Sequence, residues 1–161
     1  MRPHFLAAAF PGVLLVTAAH LPLAFGQSIV ITQSLEQTHA LDPAELQKFP
    51  AVEQRVSFHT GHGTDEATYT GALLWSVLEQ AGALDGEPRA RLRRIVTVSG
   101  RDGYTAALAL AEIDPEFEGK QVLLAYRRDG EPMPGNQLRL VVPGDRRGGR
   151  SVRDVVKMEL R

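Results

Sequence analysis

The sequence predicts an α+β domain of mixed sheets with two or three short helices. Short β-branched runs recur along the chain without the regular strand-helix-strand alternation of a parallel α/β fold. Apolar residues at helical spacing are confined to brief segments. No cysteine occurs among the 161 residues, so the fold has to rest on a hydrophobic core rather than on disulfides.

The chain starts with Met1-Arg2-Pro3-His4, and the run from Phe5 to Phe25 then contains no Asp, Glu, Lys or Arg. A basic start followed by an uncharged apolar stretch reads as a secretory signal peptide, and Ala24 and Gly26 supply the small residues of a cleavage site before Gln27. The competing reading is a retained membrane anchor, against which Pro11 and Pro22 interrupt the apolar run. Residues 1–26 are therefore expected to be a signal peptide and 27–161 one folded module, periplasmic or secreted and free of the membrane after cleavage. The module keeps 135 residues, enough for a single core.

Ser28-Ile29-Val30-Ile31-Thr32 reads as the first strand. Asp42-Pro43-Ala44-Glu45 offers a capping residue, a proline at the first helical position and a glutamate three residues after the cap, so a short helix is expected up to Phe49-Pro50. Val52, Val56 and Phe58 share one parity, as a strand with one buried face requires. Gly61-His62-Gly63-Thr64-Asp65-Glu66 is expected to be a flexible polar loop. After Thr70-Gly71, the residues Leu73, Leu74, Val77, Leu78 and Ala81 recur at helical spacing and Gly82 closes that helix. Further strands are expected over Ile95 to Ser99, Val122 to Tyr126, Leu138 to Val142 and Val155 to Leu160, with a tight turn at Asp129-Gly130.

Composition excludes several functions. Without cysteine there is no thiol nucleophile, thiolate metal site or Fe–S cluster. Arg2 is the one cationic residue in the signal segment, so the module carries 17 Lys and Arg against 19 Asp and Glu, a formal charge of −2. Such a balance gives no field to attract nucleic acid. No nucleophile elbow, P-loop or dinucleotide fingerprint occurs.

The order of motifs carries a resemblance. Tyr69-Thr70-Gly71-Ala72-Leu73-Leu74-Trp75-Ser76-Val77-Leu78-Glu79-Gln80-Ala81-Gly82 resembles the aromatic-x-Gly-x-x-Leu-x-x-Leu-Leu-x-x-Ala-Gly helix of the sulfite-oxidase-type molybdopterin-binding domain. Val98-Ser99-Gly100-Arg101-Asp102-Gly103-Tyr104, Val122 to Met133, Leu138 to Gly144 and Gly149 to Arg153 follow in that family's order. The resemblance covers about Leu35 to Leu160 and is closest to short stand-alone members. It implies a sulfite-oxidase molybdopterin-domain-like fold and molybdopterin as the cofactor.

In that family a loop before the last strand holds the cofactor's phosphate through backbone amides and basic side chains. The resemblance thus implies cofactor-binding roles for Gly149, Arg150, Ser151, Val152 and Arg153. The residues alone allow the same reading: paired glycines let backbone amides approach an anion, Arg150 can fork onto phosphate oxygens and Ser151 adds a hydroxyl. They equally allow a solvated basic loop. Tyr104 falls where the family has an active-site tyrosine, a catalytic role by resemblance, although Asp102-Gly103 also makes a turn at whose edge a tyrosine packs.

The family's metal-ligating cysteine sits in a Cys-Ala-Gly-Asn-like run that aligns with His59-Thr60-Gly61-His62. His59 and Thr60 are the cofactor-binding candidates there, and imidazole or hydroxyl differs from soft thiolate in both affinity and redox tuning. The signal also lacks a twin arginine, the address used by proteins that fold around a cofactor before export. His59 and His62, with Asp65 and Glu66, have spacing permissive for zinc but lack a placed third ligand, so no metal site is assigned. Three functions remain open: a non-catalytic exported binder of an anionic small molecule or a periplasmic protein partner, a molybdopterin-dependent oxidoreductase or subunit without cysteine ligation, and an assembly partner of a larger complex.

Overall fold

Ten strands form two five-stranded sheets among the residues that the computed structural model describes, 28–34 and 37–161. The expected signal peptide and its cleavage site lie outside them. The strands are β1 (Ile29–Ser34), β2 (Gln37–Leu41), β3 (Val52–Thr60), β4 (Gly63–Leu73), β5 (Ile95–Gly100), β6 (Thr105–Ala109), β7 (Leu123–Arg128), β8 (Glu131–Pro132), β9 (Arg139–Val141) and β10 (Val155–Leu160). Three short α-helices intervene, α1 (Leu74–Gln80), α2 (Pro88–Arg91) and α3 (Leu110–Ile113), with 3-10 turns at Pro43–Lys48, Pro134–Asn136 and Gly148–Arg150. None of the helices among the described residues is long and apolar enough to cross a membrane.

The first sheet runs β2-β1-β10-β5-β6 and is mixed, because β1 lies parallel to β10 while its other pairings are antiparallel. In the second, β3-β4-β7 pair antiparallel and β7 carries β8 and β9 along its far edge. The α+β expectation with mixed sheets holds.

Local chemistry sets several boundaries. Asp42 accepts a hydrogen bond from the Ala44 N–H at 2.8 Å, and its own N–H reaches Glu45 at 3.4 Å, completing the capping box of a 3-10 turn rather than an α-helix. Phe49, held extended by the following Pro50, ends that turn. At the end of α1, Gly82 takes φ +66°, and its N–H and that of Ala83 close onto Glu79 and Leu78. That bonding is a Schellman closure.

The stretch Gly61 to Glu66, expected as a loop, is instead a hairpin: Thr60 pairs with Gly63, only Gly61 and His62 form the turn, and β4 begins at once. Its polarity reflects position, since Thr64 and Glu66 face solvent while Asp65, Ala67 and Tyr69 share the other face. Strands β2 and β6 were also hidden in the sequence. Ala106, Ala107 and Ala109 have little strand preference, and pairing with β5 imposes the strand. Glycine is required at Gly71, where β4 shifts register against β7: an added Cβ would stand 2.6 Å from the Ala125 Cα and closer still to the Leu124 carbonyl.

Two apolar clusters result. The larger joins the first sheet to α1 and to one face of the second, through residues such as Ile31, Leu78, Val98, Leu124, Leu140 and Met158. The smaller lies on the opposite face of the second sheet and comprises Val56, Phe58, Ala67, Tyr69, Leu123, Ala125 and Val141. Full burial of a side chain like Phe58 stabilises by about 1.5–3 kcal/mol. The smaller cluster ends at two charged residues, Asp65 and Arg139, and the candidate site begins there.

Candidate functional site

Alternation along β9 places Arg139. Leu138, Leu140 and Val142 enter the larger cluster, so Arg139 and Val141 must face the smaller one. Arg139 is only 6% exposed. Its Nε donates to Ser151 Oγ at 2.9 Å and its Nη1 to Tyr69 Oη at 2.8 Å, with the guanidinium carbon 5.2 Å from the Tyr69 ring centre. Ser151 is fixed in turn by donating to the Leu140 carbonyl at 2.8 Å. No carboxylate among the described residues pairs with Arg139, and its Nη2 finds no acceptor there. Burial lowers the guanidinium pKa; Tyr69 and Asp65 oppose that shift, Arg153 and Arg128 add to it, and the net direction is downward. An arginine nevertheless stays charged in a protein. A buried cation without a directly bonded counter-ion is costly, and an anion accepting from Nη2 would offset that cost.

A cavity of about 350 Å³ opens beside Arg139. One wall is the end of β3, Phe58 to Thr60, with Asp65 from β4; the other is the turn from Arg147 to Gly149, with Ser151 and Arg153 beyond it. Two isolated backbone bridges join the walls. His59 pairs with Arg147 in parallel, its N–H donating to the Arg146 carbonyl at 2.9 Å, and Arg139 pairs antiparallel with Arg153. Arg147 and Arg153 are exposed, and neither side chain bonds to any described residue. Asp65 is matched by Arg128, whose Nη2 donates to it at 2.5 Å. Three arginines thus face the space with one carboxylate, itself already neutralised.

Of the residues singled out in the sequence, His59, Thr60, Gly149, Ser151 and Arg153 line this cavity. The Thr60 hydroxyl is engaged in the hairpin turn, donating to the Gly63 carbonyl at 2.9 Å and accepting from the His62 N–H at 3.2 Å. Arg150, expected to fork onto a ligand, forks onto Asp145 instead, with Nε and Nη2 at 2.9 and 2.6 Å, and its Nη1 reaches Glu112 at 3.0 Å. Hydrogen bonding to Asp145 drives its pKa further up. Arg150 is therefore an anchor of the loop, tying it to α3, and does not line the cavity. Val152 does not line it either: its side chain is wholly buried in the larger cluster, because the chain after Ser151 turns inward to pair with Leu140.

Tyr104, expected near the reacting centre, is 50% exposed and donates to the Gly149 carbonyl at 2.5 Å. It braces the loop from outside. Beside it, Gly100 is a second required glycine, since a Cβ there would meet the Arg153 carbonyl at 2.5 Å. His62 lies in the hairpin turn, away from the cavity wall. Among the described residues no group of three or more His, Asp or Glu side chains is arranged to hold a metal ion.

Sequence reasoning missed Phe58, Asp65 and Arg139 as site residues. Arg139 did leave a signal, a lone cation inside the apolar run Leu138 to Val142, of a residue type seldom found fully buried. Asp65 stood out only as a neighbour of the His59 and His62 pair, because its strand reads as a loop from sequence.

Comparison with known proteins bears on the family and the fold. The family model of the oxidoreductase molybdopterin binding domain matches residues 26–161. No curated protein matches the sequence. Among solved structures, the sulfane dehydrogenase SoxCD from Paracoccus pantotrophus superposes with a TM-score of 0.66 at 17% identity, over 83% of this chain and 37% of that one. The chain thus spans little more than a third of that relative, and the likeness is one of fold. With the matching strands, helix and loop in place, the chain belongs to the oxidoreductase molybdopterin-binding-domain family.

Proposed function

We propose that this domain is a non-catalytic binder of an anionic, phosphate-bearing ligand, held in the cavity by Arg139, Arg147 and Arg153. The observation that carries the reading is Arg139, buried, hydrogen-bonded only to neutral Ser151 and Tyr69, and without a carboxylate partner among the described residues. Its free Nη2 and the two unpaired arginines at the rim supply charge-assisted donors, each contributing about 1.5–3 kcal/mol to an anion that accepts from them.

The residues fit one end of molybdopterin and not the other. A phosphate matches the three arginines. Where the family resemblance places the metal's thiolate ligand, this chain has His59 and Thr60, of which the hydroxyl is already bonded within the hairpin turn. Nothing here anchors a metal covalently, so no redox step is assigned to these residues. Export remains part of the proposal, supported by the uncharged run from Phe5 to Phe25 and the small residues before Gln27.

Calorimetric titration with a phosphorylated pterin and with inorganic phosphate tests the binding, and elemental analysis of protein purified from its native source tests the chemistry. Saturable binding that weakens with salt, on protein free of stoichiometric molybdenum, is the expected result. Absence of anion binding at low ionic strength would remove the site. Stoichiometric molybdenum would replace this reading with the oxidoreductase one.

A further inference from the structure

We infer that Asp65 makes the arginine cavity selective among anions, admitting an oxyanion that presents a hydroxyl, such as hydrogenphosphate, and disfavouring one that has none, such as sulfate. The inference rests on the anion-binding reading above and adds a discrimination to it.

Asp65 is an inward-facing charge at the end of an apolar stripe. On β4 it follows Tyr69 and Ala67 along the face that builds the smaller cluster, and across the ladder it is paired with Phe58, whose ring is buried. Asp65 and Phe58 line the same cavity as Arg139. A carboxylate inside a basic pocket weakens the attraction for every anion, so its presence there calls for a chemical reason.

The hydrogen bonds supply one. Arg128 Nη2 donates to Asp65 Oδ1 at 2.5 Å, which fixes the carboxylate in place and balances its charge. The second oxygen, Oδ2, receives no hydrogen bond from any described residue, and an ionised carboxylate only accepts. A ligand oxygen arriving there must therefore bring a proton. Hydrogenphosphate brings one, and a phosphate monoester brings one as its monoanion, the form present below its second pKa of about 6, while the other oxygens accept from the Arg139 Nη2 and the rim arginines. Sulfate has the same charge at neutral pH and the same tetrahedral shape, but no proton. One of its oxygens would face Oδ2 as one lone pair faces another, and a site built for a donor rejects the analogue that lacks it.

The test is calorimetric titration of the purified protein with inorganic phosphate and with sulfate, at neutral pH and constant low ionic strength. Phosphate should bind at least about tenfold more tightly, a difference of about 1.4 kcal/mol. In Asp65→Asn the amide can donate where the carboxylate could only accept, so sulfate affinity should rise and the ratio fall to near one. Glu66→Gln is the control, because it removes a negative charge from the same hairpin at a side chain that binds Arg55 outside the cavity; its ratio should match wild type. Equal affinity of the wild-type protein for the two anions overturns the selectivity while leaving the anion site standing, and this outcome does not depend on how the variant folds. A ratio that survives in Asp65→Asn, or collapses equally in Glu66→Gln, also overturns it. If wild type binds neither anion, the anion site itself falls and the selectivity with it.

Discussion

Arg153 stands opposite Arg139 across an isolated antiparallel bridge, setting two cations side by side where a ladder ordinarily separates like charges. Each lowers the other's comfort in the fold, and for Arg139 the effect appears as a pKa pushed down by burial first and by Arg153 among the neighbouring charges. An anion bound between them would remove the conflict. Arg153→Met should therefore stabilise the anion-free protein by about 0.2–1 kcal/mol while weakening phosphate binding about tenfold or more. Urea unfolding with and without phosphate measures both quantities. A variant that is less stable and binds phosphate normally would show that the pair is ordinary structure.

Arg139→Met should abolish the stabilisation that phosphate gives wild type, about 2.7 kcal/mol at a ligand concentration one hundred times Kd. Loss of a buried unpaired charge offsets the two hydrogen bonds removed with it, so the anion-free stability should change by no more than about 1 kcal/mol. Thermal melts across a phosphate series decide this, and an unchanged phosphate-induced shift in the variant would place the anion elsewhere.

Arg150→Ala should behave differently from Arg147→Ala. Arg150 ties the loop to Asp145 and Glu112, and its removal should cost about 1–3 kcal/mol of stability through the carboxylates left without a partner. The Arg147 side chain makes no bond to any described residue, so its removal should leave stability within about 0.5 kcal/mol and lower anion affinity. Denaturant midpoints beside titrations compare the two, and a stable Arg150→Ala protein with reduced affinity would restore Arg150 as a direct ligand contact.

The same anchor predicts a pH dependence. Burial pushes the Glu112 carboxyl up, but hydrogen bonds from Arg150, the Ala109 N–H and Lys120 outweigh burial and hold it below its ordinary value of 4.5. A carboxyl whose folded pKa is depressed stabilises the fold fully above its unfolded pKa, and that contribution disappears as pH falls through the folded value. Glu112→Gln should accordingly be less stable than wild type at pH near 7, with the gap narrowing below about pH 4.5. Urea midpoints from neutral to acid pH give the comparison; parallel curves would mean that Glu112 has no part in the acid response.

Gly100→Ala should disturb the site without touching the cavity wall. The added methyl would stand 2.5 Å from the Arg153 carbonyl, and that backbone has to move, at a cost of about 1–3 kcal/mol. Phosphate affinity should fall together with stability, since the Arg139–Arg153 bridge depends on the same segment. A melt and a titration suffice, and wild-type values in both would show that the segment yields freely.

Much of the fold could be read from local residue chemistry. The Asp42 to Glu45 capping box, the Gly82 closure of α1 and the Asp129-Gly130 turn depend on a few neighbouring atoms, and each is where its residues place it. Strand β4 was not legible, because its solvent face is as polar as a loop and one of its two partners, β7, lies far along the chain.

The candidate site divides in the same way. By itself the sequence determined that the domain lacks a thiolate, that it belongs to a particular order of strands and helix, and that a glycine- and arginine-rich loop precedes the last strand, all properties of composition and short spacing. Which arginines face the cavity was decided by tertiary structure alone. Arg150 has the spacing of a ligand residue, yet Asp145, five positions away, and Glu112, 38 positions away on α3, together turn it into an anchor, whereas Arg139, hidden in a strand, becomes the buried cation because Tyr69, 70 positions away, and Ser151 hold it there. The physical reason is that a guanidinium takes whatever acceptors its surroundings bring within hydrogen-bond reach, and those surroundings are assembled from strands that only the folded sheet places side by side.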